Sequence, residues 1–403
     1  MHYDFDAVHD RRGTWCTQWD YIQDRFGKPG ILPFSISDTD FLAPQPIIDA
    51  VTEVSRRGLY GYTRWSHHDF KGAVASWYAR RYGAEVDEDW VVYSPSVMYS
   101  SSALVRLVTA PHDGVLTLSP MYDSFPGVIE GNGRRMAASP LVRHGGEDGY
   151  RIDFYDLACR AEGCGAFLLC SPHNPSGCMW TEWELGGIAE LCRKRGLYLI
   201  SDEIHADVQL TDRRNIAATS LRGIWDHIVV VSSASKIFNT PALGGSYAII
   251  PDAGLREAFL NVTRHTDYLN SPTLPGIVAT MTGYASCADY ADQLGAYIQE
   301  SRQALSTWLR EHEPRIHLVE AEATYLAWLD VRGLGYTSDE LQDALVNIGG
   351  VGIMRGETYG PEGLGYLRMC IGCPRSKLME GLSRMEKAID YLEEGTHAPD
   401  QEG

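Results

Sequence analysis

Ala166-Phe167-Leu168-Leu169-Cys170 runs straight into Ser171-Pro172-His173-Asn174-Pro175-Ser176-Gly177. An unbroken apolar run that stops at a polar, proline-containing turn is the mark of a strand covered on both faces. The pattern recurs downstream. Leu197-Tyr198-Leu199-Ile200 ends in Ser201-Asp202-Glu203-Ile204-His205, and Ile228-Val229-Val230-Val231 ends in Ser232-Ser233-Ala234-Ser235-Lys236. Trp90-Val91-Val92-Tyr93, Val115-Leu116-Thr117-Leu118 and Ser246-Tyr247-Ala248-Ile249-Ile250 are further runs of this kind. Between two of them, Thr181-Glu182-Trp183-Glu184 spells a capping box, whose hydroxyl and carboxylate satisfy free amides at a helix start. Leu185, Ile188, Ala189 and Cys192 follow at helical spacing, and Gly196 is the stop. Strands alternating with helices predict an α/β fold, a doubly wound domain with a mostly parallel sheet.

Outward from this centre the character changes. A helical stretch runs from about residue 290 to 311, followed by apolar runs at 315–319 and 324–329, a helix from Ser338, a strand around 366–369 and a closing helix from Arg375. Strand, helix and strand in mixed order predict a smaller α+β domain. The expected division is an N-terminal arm, 1–48, belonging to the small domain; a large domain, 49–287; the small C-terminal domain, 288–394; and a polar tail, 395–403, expected to be disordered. A chain of 403 residues exceeds what one core supports, which agrees with two domains.

Composition narrows the function. Thirty-five Lys and Arg against 53 Asp and Glu leave a net charge of −18, unsuited to nucleic acid or an anionic membrane surface. The densest basic stretch, Arg193-Lys194-Arg195, falls inside one helix. No apolar run approaches the ~18 residues of a membrane span, and the acidic start, Met1-His2-Tyr3-Asp4-Phe5-Asp6, does not read as a signal peptide. Nine scattered cysteines read as reduced thiols, hence a cytoplasmic protein. Cys370-Ile371-Gly372-Cys373 has no second pair for a metal and reads as two small residues at a strand end.

Ligands of open α/β sheets sit outside the carboxyl ends of the strands. Asn174, Asp202 and Lys236 each follow such an end. Alone, each is ordinary: an Asn-Pro turn, a helix cap, a solvated lysine. Together, in this order and on this edge, they specify a crevice holding an amide, a carboxylate and an amine.

These residues resemble the pyridoxal-phosphate enzymes of the aspartate aminotransferase fold type (fold type I), and within them the MalY/PatB-type cystathionine β-lyases, which are carbon–sulfur lyases. The resemblance is carried by Asp10-Arg11-Arg12-Gly13-Thr14-Trp15-Cys16-Thr17-Gln18-Trp19-Asp20, Ser37-Asp38-Thr39-Asp40-Phe41, Tyr60-Gly61-Tyr62 and the three strand ends. Residues 324–330 and Gly372-Cys373-Pro374-Arg375-Ser376-Lys377 complete it, so that it spans nearly the whole chain.

The resemblance implies a role for each residue. Lys236 is expected to bond to the cofactor aldehyde, which needs a neutral amine. Asp202 is expected to face the pyridine nitrogen and keep it protonated. Asn174 is expected to donate to the ring oxygen, and His205 falls where related aminotransferases place a tyrosine reaching the same atom. Tyr122 resembles the aromatic that stacks on the ring; as a bare residue it reads equally as a core tyrosine. The amides of Val97 and Met98, opening a helix after Ser96, and the hydroxyls of Ser233 and Ser235 are expected at the phosphate. Tyr62 is expected to reach that phosphate from the other subunit of a homodimer. Arg368 matches the arginine that clamps the substrate carboxylate with paired hydrogen bonds. No metal is implied.

The implied reaction is α,β-elimination. Lys236, released from the cofactor, removes the α-proton of cystathionine or a cysteine conjugate, a thiolate leaves, and pyruvate and ammonia follow. An aminotransferase would use the same lysine, aspartate and arginine. Proteins of this branch can also bind and restrain a transcriptional activator, and no stretch of the sequence marks such a surface. Two departures bear on substrate choice. Met354-Arg355-Gly356 stands where the branch has Met-Pro-Gly, and Thr39 stands where Met is commoner. Arg355 reads either as solvated or as a partner for a distal substrate carboxylate.

Overall fold

The structure, a computed structural model, describes residues 1–143 and 149–396. The chain packs as two compact units. The larger holds Met1, residues 42–295 and 321–324; the other holds residues 2–41, 296–320 and 325 onward.

The larger unit is built on a seven-stranded sheet. Its parts, in chain order, are β1 (Val91–Ser94), α1 (Val97–Val108), β2 (Gly114–Ser119), β3 (Arg135–Pro140), β4 (Cys164–Cys170), α2 (Glu182–Arg195), β5 (Tyr198–Asp202), β6 (Ile228–Ser233), α3 (Ser235–Phe238) and β7 (Ser246–Ile249). The strands lie in the order β1-β7-β6-β5-β4-β2-β3. Only β7 is antiparallel to its neighbours, β1 and β6; β2 through β6 pair in parallel. Since β7 reverses twice, β1 also points the same way as β6. The expected mostly parallel sheet is therefore present.

The apolar runs become strands because both faces are covered. Every residue of β1, β2 and β6 is buried, as are the last five of β4. Branched Ile228, Val229, Val230 and Val231 suit this pleated, enclosed surface. Helix α2 starts with the reciprocal capping box between Thr181 and Glu184 and ends at Gly196, whose φ of 70° needs no Cβ. Gly245, entering β7 at φ 91°, is also required sterically: a Cβ there would lie 2.6 Å from the Gly276 carbonyl.

β3 differs from the other strands. It is one of the sheet's two edge strands, buries only Ala137 and Ser139, and was not anticipated from the sequence.

The second unit carries an antiparallel sheet of β8 (His317–Leu318), β9 (Leu326–Asp330), β10 (Met354–Arg355) and β11 (Tyr366–Cys370), in the order β8-β9-β11-β10. Helices α5 (Ser338–Ala344) and α6 (Arg375–Thr396) belong to it, while α4 (Ala288–His312) contains the division at 295/296. The run expected at 315–319 forms ladder pairs over two residues only. Helix α6 continues through Thr396; of the expected tail, residues 397–403 lie outside the described residues. Among the described residues no helix is long and apolar enough to cross a membrane.

Candidate active site

Parallel pairing puts the carboxyl ends of β1, β2, β4, β5 and β6 on one edge. Register makes this concrete: Cys170 of β4 lies beside Asp202 of β5, which lies beside Val231 of β6. These strand ends and the segments that follow them carry Asn174, Asp202 and Lys236.

Asp202 is the last residue of β5 and is 2% exposed. Burial pushes its carboxyl up to about 7; the Ile204 amide, donating at 3.1 Å, and the positive charge of Lys236 pull the other way. Asp202 and Lys236 belong to the same unit, and the lysine's charge acts on the carboxyl. Lys236 sits on the single turn α3, three residues past the end of β6. Asn239 closes that turn at φ 53°, a left-handed value that Asn tolerates better than most residues.

The loop after β4 is fully buried and tied to its neighbours. The Ser171 amide donates to the Asp202 carbonyl at 2.8 Å, which fastens the Asn174 loop to the end of β5. The Asn174 amide donates to the Cys170 sulfur at 3.4 Å, and that thiol donates to the Pro172 carbonyl at 3.2 Å. Cys170 was not anticipated as a site residue. Its only sequence signal was a thiol at the last position of a buried strand.

The ends of β5 and β6 are cross-linked in turn. The Glu203 amide donates to the Val231 carbonyl at 2.9 Å, and the Ser232 hydroxyl donates to the Glu203 carbonyl at 3.3 Å. Glu203 accepts from the Ala218 amide at 2.7 Å and the Ser201 hydroxyl at 3.1 Å, and burial raises its carboxyl to about 8. His205, 3% exposed, lies on the same loop.

Helix α1 begins at this edge. Ser96 caps it, its hydroxyl accepting from the Tyr99 amide at 3.1 Å. That leaves the amides of Val97 and Met98 as the open donors of the first turn, at the positive end of a twelve-residue helix. Ser233 ends β6 and Ser235 opens α3; both are buried, and the Ser235 amide donates to the Ser233 hydroxyl at 3.2 Å. Tyr122 follows β2, half-buried, with its ring edge-on to Phe125 at 5.8 Å.

Tyr62 is different. It is fully exposed in the segment after the helix Gln45–Arg57, where residues 60–63 share a hollow of about 350 Å³ with Ser271, Pro272, Leu274 and Pro275. In the second unit, Arg368 of β11 is 4% exposed; its Nη2 donates to the Ser35 carbonyl at 2.7 Å and its guanidinium lies 4.5 Å from the centre of the Tyr359 ring. Arg355 is ion-paired to Asp339 at 2.7 Å within its own unit. Cys370 ends β11, and Cys370 and Cys373 are buried free thiols. No group able to hold a metal occurs among the described residues.

The larger unit's edge fits pyridoxal phosphate by its donor chemistry. Asp202 is a buried carboxyl whose elevated proton affinity calls for a cation beside it, as a protonated pyridine nitrogen would be. An amine is within its electrostatic reach, and the open amides of α1 and two serine hydroxyls supply anion donors.

Similarity to known proteins agrees. The chain is 39% identical to Protein MalY of Escherichia coli (strain K12) over 390 residues, 96% of this chain and 99% of that one. It is 33% identical to Cystathionine beta-lyase PatB of Bacillus subtilis (strain 168), again over 96% of this chain and 99% of the relative. The crystal structure of cystalysin from Treponema denticola, containing a pyridoxal 5'-phosphate cofactor, matches with a TM-score of 0.91 at 28% identity, covering 97% of this chain and 100% of the other. Residues 29–385 match the family described as Aminotransferase class I and II. With that match over most of its length, the chain belongs to the class I and II aminotransferase family.

Proposed function

We propose that this chain is a pyridoxal-phosphate-dependent carbon–sulfur β-lyase, converting cystathionine or a cysteine conjugate into a thiol, pyruvate and ammonia. The observation carrying this reading is the buried Asp202 carboxyl at the end of β5, beside the end of β6, whose following turn carries Lys236, with the lysine's positive charge felt at that carboxyl. Pyridoxal phosphate, when bound, supplies an electron sink for the bonds at the α-carbon of an amino acid.

The chain's own residues do the rest. Lys236 holds the cofactor through its Nζ, then serves as the base that takes the α-proton. Asp202 pairs with the ring nitrogen and keeps a proton there. Asn174 donates to the ring oxygen from a loop that Cys170 and the Asp202 carbonyl hold still. His205 reaches toward the same oxygen, and Tyr122 covers the ring. The Val97 and Met98 amides and the Ser233 and Ser235 hydroxyls bind the phosphate. Arg368 takes the substrate α-carboxylate; its burial against Tyr359 limits the ways its guanidinium can turn.

A homodimer is part of the proposal. Leu59, Tyr60, Tyr62, Tyr268 and Leu269 are large apolar or aromatic side chains exposed in the larger unit, and Tyr62 completes a phosphate site in the partner.

The test is a product assay on purified protein with cystathionine and no 2-oxo acid. Stoichiometric pyruvate and free thiol are expected. An absolute requirement for a 2-oxo acid acceptor, with no thiol formed, would replace this reading with amino transfer.

A further inference from the structure

The second unit contains a cavity of about 510 Å³ bordered by the helix Ile22–Phe26, by α5 and the turn after it, and by β10. Positions 339, 342, 343 and 346 recur at helical spacing and form one wall. Two guanidiniums and two carboxylates line it, but they are not all neutralised in the same way. Arg355 and Asp339 pair with each other at 2.7 Å. Arg25 donates only to the Met354 sulfur, at 3.5 Å, and meets no carboxylate among the described residues. Asp343 accepts only the neutral Asn347 amide, at 2.7 Å, and meets no cation there. Arg25 and Asp343, both exposed to solvent, therefore border the same space without a counter-ion among the described residues, with Phe26 and the largely buried Val346 and Met354 providing apolar lining between polar groups.

Gln342 adds an independent observation. Both polar atoms of its side-chain amide are shut off from solvent, and neither has a hydrogen-bond partner among the described residues. Such an amide is costly as it stands. A ligand in the cavity would give it a donor and an acceptor after a rotamer change.

We propose that this cavity binds a free α-amino acid with an uncharged, apolar or thioether side chain. The ligand's carboxylate meets Arg25, its ammonium meets Asp343, its side chain rests on Phe26 and Met354, and Gln342 pairs with its polar groups. A simple anion would leave Asp343 opposed, and a simple cation would leave Arg25 opposed; a zwitterion answers both. The site lies within the second unit and does not depend on the lyase reading.

The probe is L-methionine, titrated calorimetrically into the cofactor-loaded full-length protein, with N-acetyl-L-methionine as the analogue lacking the ammonium. Arg25→Ala should weaken L-methionine binding at least tenfold. Asp343→Asn should weaken L-methionine at least tenfold but leave N-acetyl-L-methionine unchanged. Gln342→Met should raise the thermal midpoint of the ligand-free protein while reducing the stabilisation that L-methionine confers, whereas a structural glutamine would give a lower midpoint. Binding at the cofactor is separated by its visible absorption, which these three variants should leave responding to substrate as before. Equal L-methionine affinity in wild type, Arg25→Ala and Asp343→Asn would overturn the proposal, as would a wild-type titration with no event beyond that seen in the cofactor spectrum.

Discussion

Asp202 and Lys236 carry the chemistry proposed here, and each has a measurable consequence. Burial lifts the Asp202 carboxyl to about 7 from an ordinary value of 3.8. The folded, cofactor-free chain therefore keeps a proton that the unfolded chain releases. Stability from this group is full below pH 3.8 and is lost as pH rises toward 7; Glu203, raised to about 8, extends the decline. Asp202→Asn should remove part of that slope. In urea unfolding of cofactor-free protein the variant should match wild type at low pH and gain stability relative to it, by a few kcal/mol at most, as pH approaches about 8. The same variant should lose most lyase activity, since Asn cannot hold a ring proton by charge. Arg368→Lys keeps the charge but not the fork of donors; KM for cystathionine should rise at least tenfold with a smaller change in kcat, as steady-state kinetics would report. Asn174, Asp202 and Lys236 could be picked out from sequence because each stands in the polar stretch that follows an apolar run. Cys170 could not, because its thiol acts only through the fold, where it holds the Asn174 amide.

At the level of single elements, the sequence spoke most clearly where local chemistry and burial agree. The capping box of α2, the stop at Gly196 and the apolar runs of β4, β5 and β6 all reappear in the structure with small changes of boundary. β3 escaped notice because Arg135–Pro140 is an edge strand with only two buried positions, so its backbone pairing with β2 and not its side chains defines it. Residues 315–319 misled in the opposite direction: apolar Ile316 and Val319 are buried, yet only His317 and Leu318 pair in the ladder. Thr181→Ala should cost about 1 kcal/mol, because it leaves the Glu184 amide without its acceptor. Leu168→Ala, at a position 0% exposed in the middle of β4, should cost about 2–5 kcal/mol by leaving a cavity under the site. Chemical denaturation of both variants would check that the second loss exceeds the first.

For the whole molecule, the sequence resemblance reached further than periodicity could. Tyr62 and Arg368 have no local signal for their proposed roles; one is a fully exposed tyrosine in a glycine-containing stretch, the other an arginine inside a buried strand. Their assignment depends on how chains and units assemble, which spacing alone does not encode. If Tyr62 serves as proposed, Tyr62→Phe should leave the proposed dimer intact in sedimentation while weakening cofactor retention on dialysis, because only the hydroxyl is lost. The most direct test of the central claim is to reduce the cofactor-loaded protein with borohydride, digest it and locate the modified residue by mass spectrometry. The pyridoxyl group should be found on Lys236 and be absent from Lys236→Ala. A protein that takes up no cofactor, or carries the group on another lysine, would contradict the role assigned to Lys236 opposite Asp202.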